Sequence, residues 1–142
     1  MARSIVPVGV VLLVLAIVAT PALAKKRKGP VEYGHWNVRV TPDADAVARG
    51  EKAAKDTLVL QQGVFRSENW YLYGFTSAGY TIHGSDFSVD TESRKNGKIR
   101  WTGLITGDSI AGRMVWTQRD GSVLNFTFSG TRAPVETTKK KK

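Results

Sequence analysis

The chain has 142 residues, no cysteine and a formal net charge of +9 at pH 7. Without cysteine the protein has no disulfide bonds, no thiol catalysis and no cysteine for lipid attachment after a signal sequence. The excess charge lies in Arg3 and in the runs Lys25–Lys28 and Lys139–Lys142, so the body from Gly29 to Thr138 is formally neutral. A neutral body argues against a surface specific for nucleic acid.

The N-terminus has the pattern of a cleavable secretory signal peptide. An apolar run from Ile5 to Thr20 follows a basic start, and Pro21 and the small-residue site Ala22-Leu23-Ala24 come next. This pattern predicts export to the periplasm or the exterior. The run Lys25–Lys28 opposes translocation because positive charge is retained inside. An uncleaved N-terminal membrane anchor is therefore an alternative.

The charge pattern predicts two basic segments around one folded domain. We expect a signal peptide at 1–24, a basic disordered segment at 25–32, a β-barrel-like domain at 33–132 and a basic disordered tail at 133–142. Lys25–Lys28 and Lys139–Lys142 are expected to be solubilising, or to contact anionic lipid, lipopolysaccharide or nucleic acid nonspecifically.

Hydrophobic alternation predicts short strands from Tyr33 onward. The first strand is expected over Tyr33–Val40, and residues 42–56 are expected to form one or two helical turns or a loop, with Thr41 as N-cap. A hairpin is expected next, with strands Leu58–Gln61 and Val64–Arg66 around Gln62-Gly63. The aromatic segment Trp70–Phe75 is expected to be a strand or a loop cover. A second hairpin is expected to join Tyr80–His83 to Phe87–Thr91 around Gly84-Ser85-Asp86.

The stretch from Ile99 to Thr131 predicts three antiparallel strands in a defined register. A two-residue turn at Gly107-Asp108 is followed by a three-residue loop, Arg119–Gly121, with glycine in the left-handed conformation. The predicted partners are Ile105 with Ile110, Gly103 with Gly112, Trp101 with Met114, Trp116 with Leu124, and Met114 with Phe126. This register keeps one aromatic face intact, and the facing glycines mark a coiling point.

About eight short strands at close spacing indicate an all-β fold. We predict a single small antiparallel meander barrel or a strongly coiled sheet. A closed barrel suits an exported domain without disulfides, because closure leaves no bare strand edge.

Gly34-His35-Trp36 on the first strand resembles the G-x-W signature of calycin barrels, the lipocalin and avidin group. In that family the tryptophan packs at the closed end of the barrel against an arginine just beyond the last strand, and Arg132 stands at the matching place. The chain also looks like small secreted bacterial proteins. The resemblance implies a meander barrel over residues 34–132, with Gly34, Trp36 and Arg132 in structural roles.

No motif predicts catalysis, a metal site or a cofactor. His35 and His83 are the only histidines, and their spacing fits no common metal-binding motif. An enzyme hypothesis rests only on His83 and Asp86 beside one turn, so we favour a non-catalytic protein.

The aromatic face carries the functional hypothesis. Its residues are Trp101, Met114, Trp116, Phe126 and Phe128, and they predict either a filled core or the lining of a pocket. The first hypothesis is an exported binding protein for a small hydrophobic ligand, with Gly103 and Gly112 leaving room for it. The alternative is a structural or adhesion module with a filled core, whose lysine-rich tails attach to anionic envelope surfaces.

Overall fold

The computed structural model describes residues 29–135. The predicted signal peptide and the runs Lys25–Lys28 and Lys139–Lys142 lie outside the described residues. Within them, one nine-stranded antiparallel sheet curves into a nearly closed barrel, which confirms the all-β prediction. Neither helix of this part of the chain has the length and apolarity needed to cross a bilayer.

The barrel has one strand more than predicted. Its strands are β1 Gly34–Pro42, β2 Ala54–Gln61, β3 Val64–Ser67, β4 Ala78–Gly79, β5 Thr81–His83, β6 Asp86–Ser93, β7 Gly97–Thr106, β8 Ser109–Thr117 and β9 Val123–Arg132. The helices α1 Ala44–Ala48 and α2 Glu68–Tyr71 are short. The additional strand is β4, where two residues pair with β3.

The strand order explains how the barrel nearly closes. The order is β4-β3-β2-β1-β9-β8-β7-β6-β5, so the two edge strands are consecutive in sequence, separated only by Tyr80. The Tyr80 N–H donates to the Gly63 carbonyl at 3.0 Å, and the Thr76 N–H donates to the Glu92 carbonyl at 3.3 Å. The segment 76–83 therefore bonds to β3 on one side and to β6 on the other.

The predicted register of the last three strands is confirmed. Gly103 faces Gly112, Trp101 faces Met114, and Trp116 faces Leu124. The Gly121 N–H donates to the Gln118 carbonyl at 3.0 Å, and Gly121 has a φ of 86°, as expected for the three-residue loop with a left-handed glycine. The apolar face of these three strands therefore determines their register, because a slip of one residue would turn it to solvent.

Two local predictions were wrong. Thr41 does not cap α1, because Thr41 and Pro42 still pair with β9, and Asp43 caps the helix by accepting from the Ala46 N–H at 2.9 Å. The turn before β6 contains two residues and not three, since Asp86 already pairs with His83.

Apolar side chains fill the barrel. Those almost completely buried are Trp36, Val38, Val40, Leu58, Leu60, Phe65, Phe75, Phe87, Val89, Ile99, Trp101, Ile105, Ile110, Met114, Leu124, Phe126 and Phe128. Each large side chain contributes about 1.5–3 kcal/mol when fully buried. This core is the main source of stability in a chain without disulfides.

One end of the barrel is closed by Arg132. Its guanidinium carbon lies 4.1 Å from the centre of the Trp36 ring, the cation–π arrangement expected from the resemblance. The same guanidinium donates to the carbonyls of Val31, Tyr33 and Gly107. It therefore ties the turn before β1 and the β7–β8 turn to the end of β9.

The turn before β1 packs closely against the barrel. Glu32, which the sequence pattern assigns to the basic segment 25–32, is 7% exposed, and its carbonyl accepts from the Trp36 indole at 3.0 Å. The Tyr80 hydroxyl donates to the Glu32 carboxylate at 3.0 Å, and burial together with this bond raises the pKa of Tyr80 to about 12.

Gly112→Ala tests whether the facing glycines are required by packing. A Cβ at Gly112 would overlap the Thr102 carbonyl oxygen and lie 2.9 Å from Phe128 Cζ, so we expect a loss of about 1–3 kcal/mol in the free energy of unfolding. Gly79→Ala is the control, because its Cβ would come no closer than 3.8 Å to another group. Urea unfolding curves compare the two, and equal small effects would contradict the packing argument.

Candidate functional site

The structure places the five predicted ligand-binding residues in two environments. Trp101, Met114, Phe126 and Phe128 are buried inside the barrel, and Trp116 is half-buried at one end. The Trp101 ring centre lies 5.5 Å from that of Phe128 and 5.3 Å from that of Phe65. These rings pack mainly against one another, as in a filled core.

Aromatic rings occupy the room that Gly103 and Gly112 were expected to leave. A Cβ at Gly103 would lie 2.8 Å from Phe87 Cε1 and 3.1 Å from Phe128 Cζ. The rings approach the sheet closely because neither glycine has a side chain. The glycine pair therefore serves the packing of Phe87 and Phe128.

One polar atom inside the barrel is unpaired. Trp101 Nε1 is buried and has no hydrogen-bond acceptor among residues 29–135. A buried donor without an acceptor costs about 1–3 kcal/mol. This unpaired indole N–H is the one feature of the interior that favours binding of an additional molecule with a hydrogen-bond acceptor.

The segment 70–75 covers the end of the barrel opposite Arg132. Trp70 lies in α2, and its ring centre is 5.1 Å from that of Trp116 and 6.1 Å from that of Phe126. Phe75 is buried beside them, at 5.8 Å from Trp70. The aromatic segment is thus a cover and not a strand, although its first two residues belong to α2 and only the rest is a loop.

A cleft of about 1100 Å³ lies at the covered end, between the α2–β4 segment, the β6–β7 turn and the β8–β9 loop. Its basic lining residues are Arg94, Lys95, Lys98 and Arg119, and Glu92 is the one carboxylate in the lining. Lys98 Nζ lies 3.6 Å from Asp90 Oδ2. The other three cations form no ion pair within residues 29–135. The sequence pattern did not indicate this cleft, because its cations come from the β6–β7 turn, the start of β7 and the β8–β9 loop.

Exposed apolar residues stand at the rim of the cleft. Leu72 is 83% exposed and Tyr73 61% exposed, and both line it. The Tyr73 carbonyl accepts from Ser93 Oγ at 3.1 Å and from Asn96 Nδ2 at 2.7 Å. The Leu72–Tyr73 tip is therefore fixed against the β6–β7 turn.

A buried carboxyl positions α2 under this tip. Asp56 on β2 accepts from the Ser67 hydroxyl at 2.5 Å and from the Asn69 N–H at 3.1 Å, while Ser67 Oγ accepts from the Trp70 N–H at 3.1 Å. Burial, the largest cause, raises the pKa of the Asp56 carboxyl above its usual value of 3.8, and these hydrogen bonds oppose the rise.

His83 and Asp86 are register partners in the β5–β6 hairpin. Both line a groove of about 450 Å³ beside the exposed residues Leu104 and Arg113. Residues 29–135 contain no cluster of three or more His, Asp or Glu side chains placed to hold a metal ion.

Both termini of the described chain lie at the same end of the barrel, the one that Arg132 closes. The Ala133 N–H donates to the His35 carbonyl at 2.7 Å, and Arg132 donates to Val31 and Tyr33. The β1–β9 pairing thus brings Gly29 and Val135 out on the same side. The cleft lies at the other ends of β6, β7 and β8.

Comparison of the sequence with protein-family models and with curated proteins gives no match.

The Asp56 carboxyl makes the stability of the fold depend on pH. Because its folded pKa is raised, its favourable contribution is full below pH 3.8 and is lost as the pH rises through the folded value. We expect the unfolding free energy of the protein, relative to that of Asp56→Asn, to increase as the pH falls from 7 to below 3.8. Urea unfolding at a series of pH values measures this difference, and a constant difference would contradict it.

Proposed function

We propose that the protein is an exported, non-catalytic structural or adhesion module, a filled calycin-like barrel that attaches to anionic envelope surfaces through Lys25–Lys28 and Lys139–Lys142. The supporting observation is that both ends of the described chain leave one end of a packed barrel. The Trp36–Arg132 stack at that end supports the calycin-like interpretation. Export follows from the N-terminal sequence pattern.

Both basic runs adjoin the described residues in sequence, next to chain ends that lie on one side of the barrel. Lys28 directly precedes Gly29, and Lys139 stands four positions after Val135. Since an extended chain spans at most about 3.6 Å per residue, the second run begins within about 14 Å of Val135. We infer that these eight positive charges act together at one end of a domain whose body is formally neutral.

Such an arrangement favours attachment to an anionic surface. Each Lys or Arg close to an anionic membrane contributes about 1 kcal/mol, and this attraction weakens with added salt. Two runs on one domain act together, because binding of the first raises the effective concentration of the second. The filled interior leaves the surface and the runs as the means of recognition.

A small hydrophobic ligand in the barrel is the second candidate function. It is favoured by Trp101 Nε1, whose buried N–H lacks an acceptor within residues 29–135. A ligand with one acceptor atom would satisfy this donor and would have to displace some of the aromatic packing around Trp101. Trp101, Met114, Phe126 and Phe128 would line its site, with Trp116 at the end.

Neutralising the basic runs tests the first proposal. The exported protein is mixed with phosphatidylglycerol–phosphatidylcholine vesicles, and sedimentation measures binding. Replacing either run by glutamine is expected to weaken binding by up to about a thousandfold, since four cations are lost. Replacing both is expected to weaken the salt-sensitive binding further than replacing either run alone.

A matched control removes four exposed cations from the barrel body, Arg39, Lys52, Lys55 and Arg113. The N-terminus of each variant is read by mass spectrometry, so that all are compared after the same processing. Equal weakening in the control and in the run variants would contradict the proposal, as would binding of unchanged strength without either run.

A further inference from the structure

We propose that the Leu72–Tyr73 tip and the cationic cleft beside it form a docking surface for an anionic lipid bilayer, at the end of the barrel opposite the chain ends. This surface is separate from the lysine-rich runs. It would give the protein a second membrane contact, directed away from the first.

The tip offers the apolar part of such a contact. Tyr71, Leu72 and Tyr73 are consecutive and 51%, 83% and 61% exposed. Tyrosine favours the membrane–water interface, where its ring is apolar and its hydroxyl stays hydrated. Leu72 is an aliphatic side chain at the tip of a loop, and burying it in acyl chains is favourable. An aqueous polyanion would offer no such environment.

The cleft offers the complementary charge. Arg94, Lys95 and Arg119 form no ion pair within residues 29–135, and Lys98 also lines the cleft. Lys98 is paired with Asp90, and the other three cations outweigh the single lining carboxylate, Glu92. Lipid phosphates are the anions that lie at the depth of an interfacial tyrosine. The cations therefore match the phosphate region of a bilayer surface, and the apolar tip matches the acyl chains just below it.

Docking at this surface requires little reordering. Ser93 and Asn96, which flank Arg94 and Lys95, both donate to the Tyr73 carbonyl. Asn96 also accepts through its carbonyl from the Trp116 indole at 2.7 Å. Tip and cations are thus held together before any lipid binds, which lowers the entropy cost of binding.

The two contacts lie at opposite ends of the barrel. Ser109, at the start of β8, pairs with Thr131 near the chain ends, and Thr117, at its end, lines the cleft. Eight residue steps at about 3.3 Å separate them by about 26 Å of strand. A single bilayer surface is therefore not expected to engage both ends of an upright barrel.

A fluorescent label at the tip tests the proposal. The chain has no cysteine, so Leu72→Cys gives a unique site for an environment-sensitive dye such as NBD. The exported protein with both runs replaced by glutamine is mixed with phosphatidylglycerol–phosphatidylcholine vesicles, so that the vesicle is not held at the opposite end. A blue shift with protection from an aqueous quencher is expected. Leu104→Cys, on the exposed wall of β7, is the control and is expected to show neither.

Charge variants test the role of the cleft. Arg94→Gln/Lys95→Gln is expected to weaken the response at position 72, so that the lipid concentration giving half of the blue shift rises roughly thirtyfold. The reason is that each lost cation contributes about as much to membrane binding as one cation of the runs. Arg39→Gln/Arg113→Gln removes equal charge from the barrel wall and is expected to leave that response almost unchanged.

Three outcomes would overturn the proposal. The first is the absence of any blue shift at position 72 in the variant without the runs, while the protein with its runs still sediments with vesicles; this would leave attachment through the lysine-rich runs intact. The second is a blue shift of the same size with soluble dextran sulfate, which would identify the cleft as a polyanion site. The third is equal weakening by both charge variants. Unchanged sedimentation after both runs are replaced by glutamine, with the blue shift at position 72 retained, would instead contradict the role of the runs alone.

Discussion

The stack of Arg132 on Trp36 is the interaction on which the rest of the structure depends. It joins the last strand to the first, and its hydrogen bonds to Val31, Tyr33 and Gly107 hold the turn before β1 and the β7–β8 turn at the same end. Because an arginine remains charged, this closure persists over the physiological pH range. It also fixes where the chain enters and leaves the barrel, and the proposed attachment follows from that placement.

The interior and the surface of the barrel have separate roles in this account. Phe87 and Phe128 pack against the glycine pair of β7 and β8, and Trp101 lies between Phe65 and Phe128. Such packing stabilises a domain that has no disulfide bond. The two proposed recognition surfaces both lie outside this interior: the lysine-rich runs, and the Leu72–Tyr73 tip with its cations.

Much of the fold could be predicted from the sequence, because alternation and turn residues act locally. The Gly103–Gly112 and Trp116–Leu124 pairs followed from one apolar face and two turn signals. The cleft could not be predicted in this way. Its parts come from three loops far apart in sequence, and the hydrogen bonds that join Tyr73 to Ser93 and Asn96 have no sequence signature. The hydrogen bond from the Asn69 N–H of α2 to Asp56 on β2 likewise joins residues that no local pattern relates.

Native mass spectrometry of the exported protein, purified without denaturation, tests whether the barrel is filled by its own side chains. A filled barrel leaves recognition to the surface and the lysine-rich runs. We expect the mass of the polypeptide alone for both the protein and Trp101→Phe, before and after exposure to hydrophobic extracts. A discrete added mass that is lost on collisional activation and absent from Trp101→Phe would contradict it. Such a result would show that Trp101 Nε1 donates to a ligand inside the barrel.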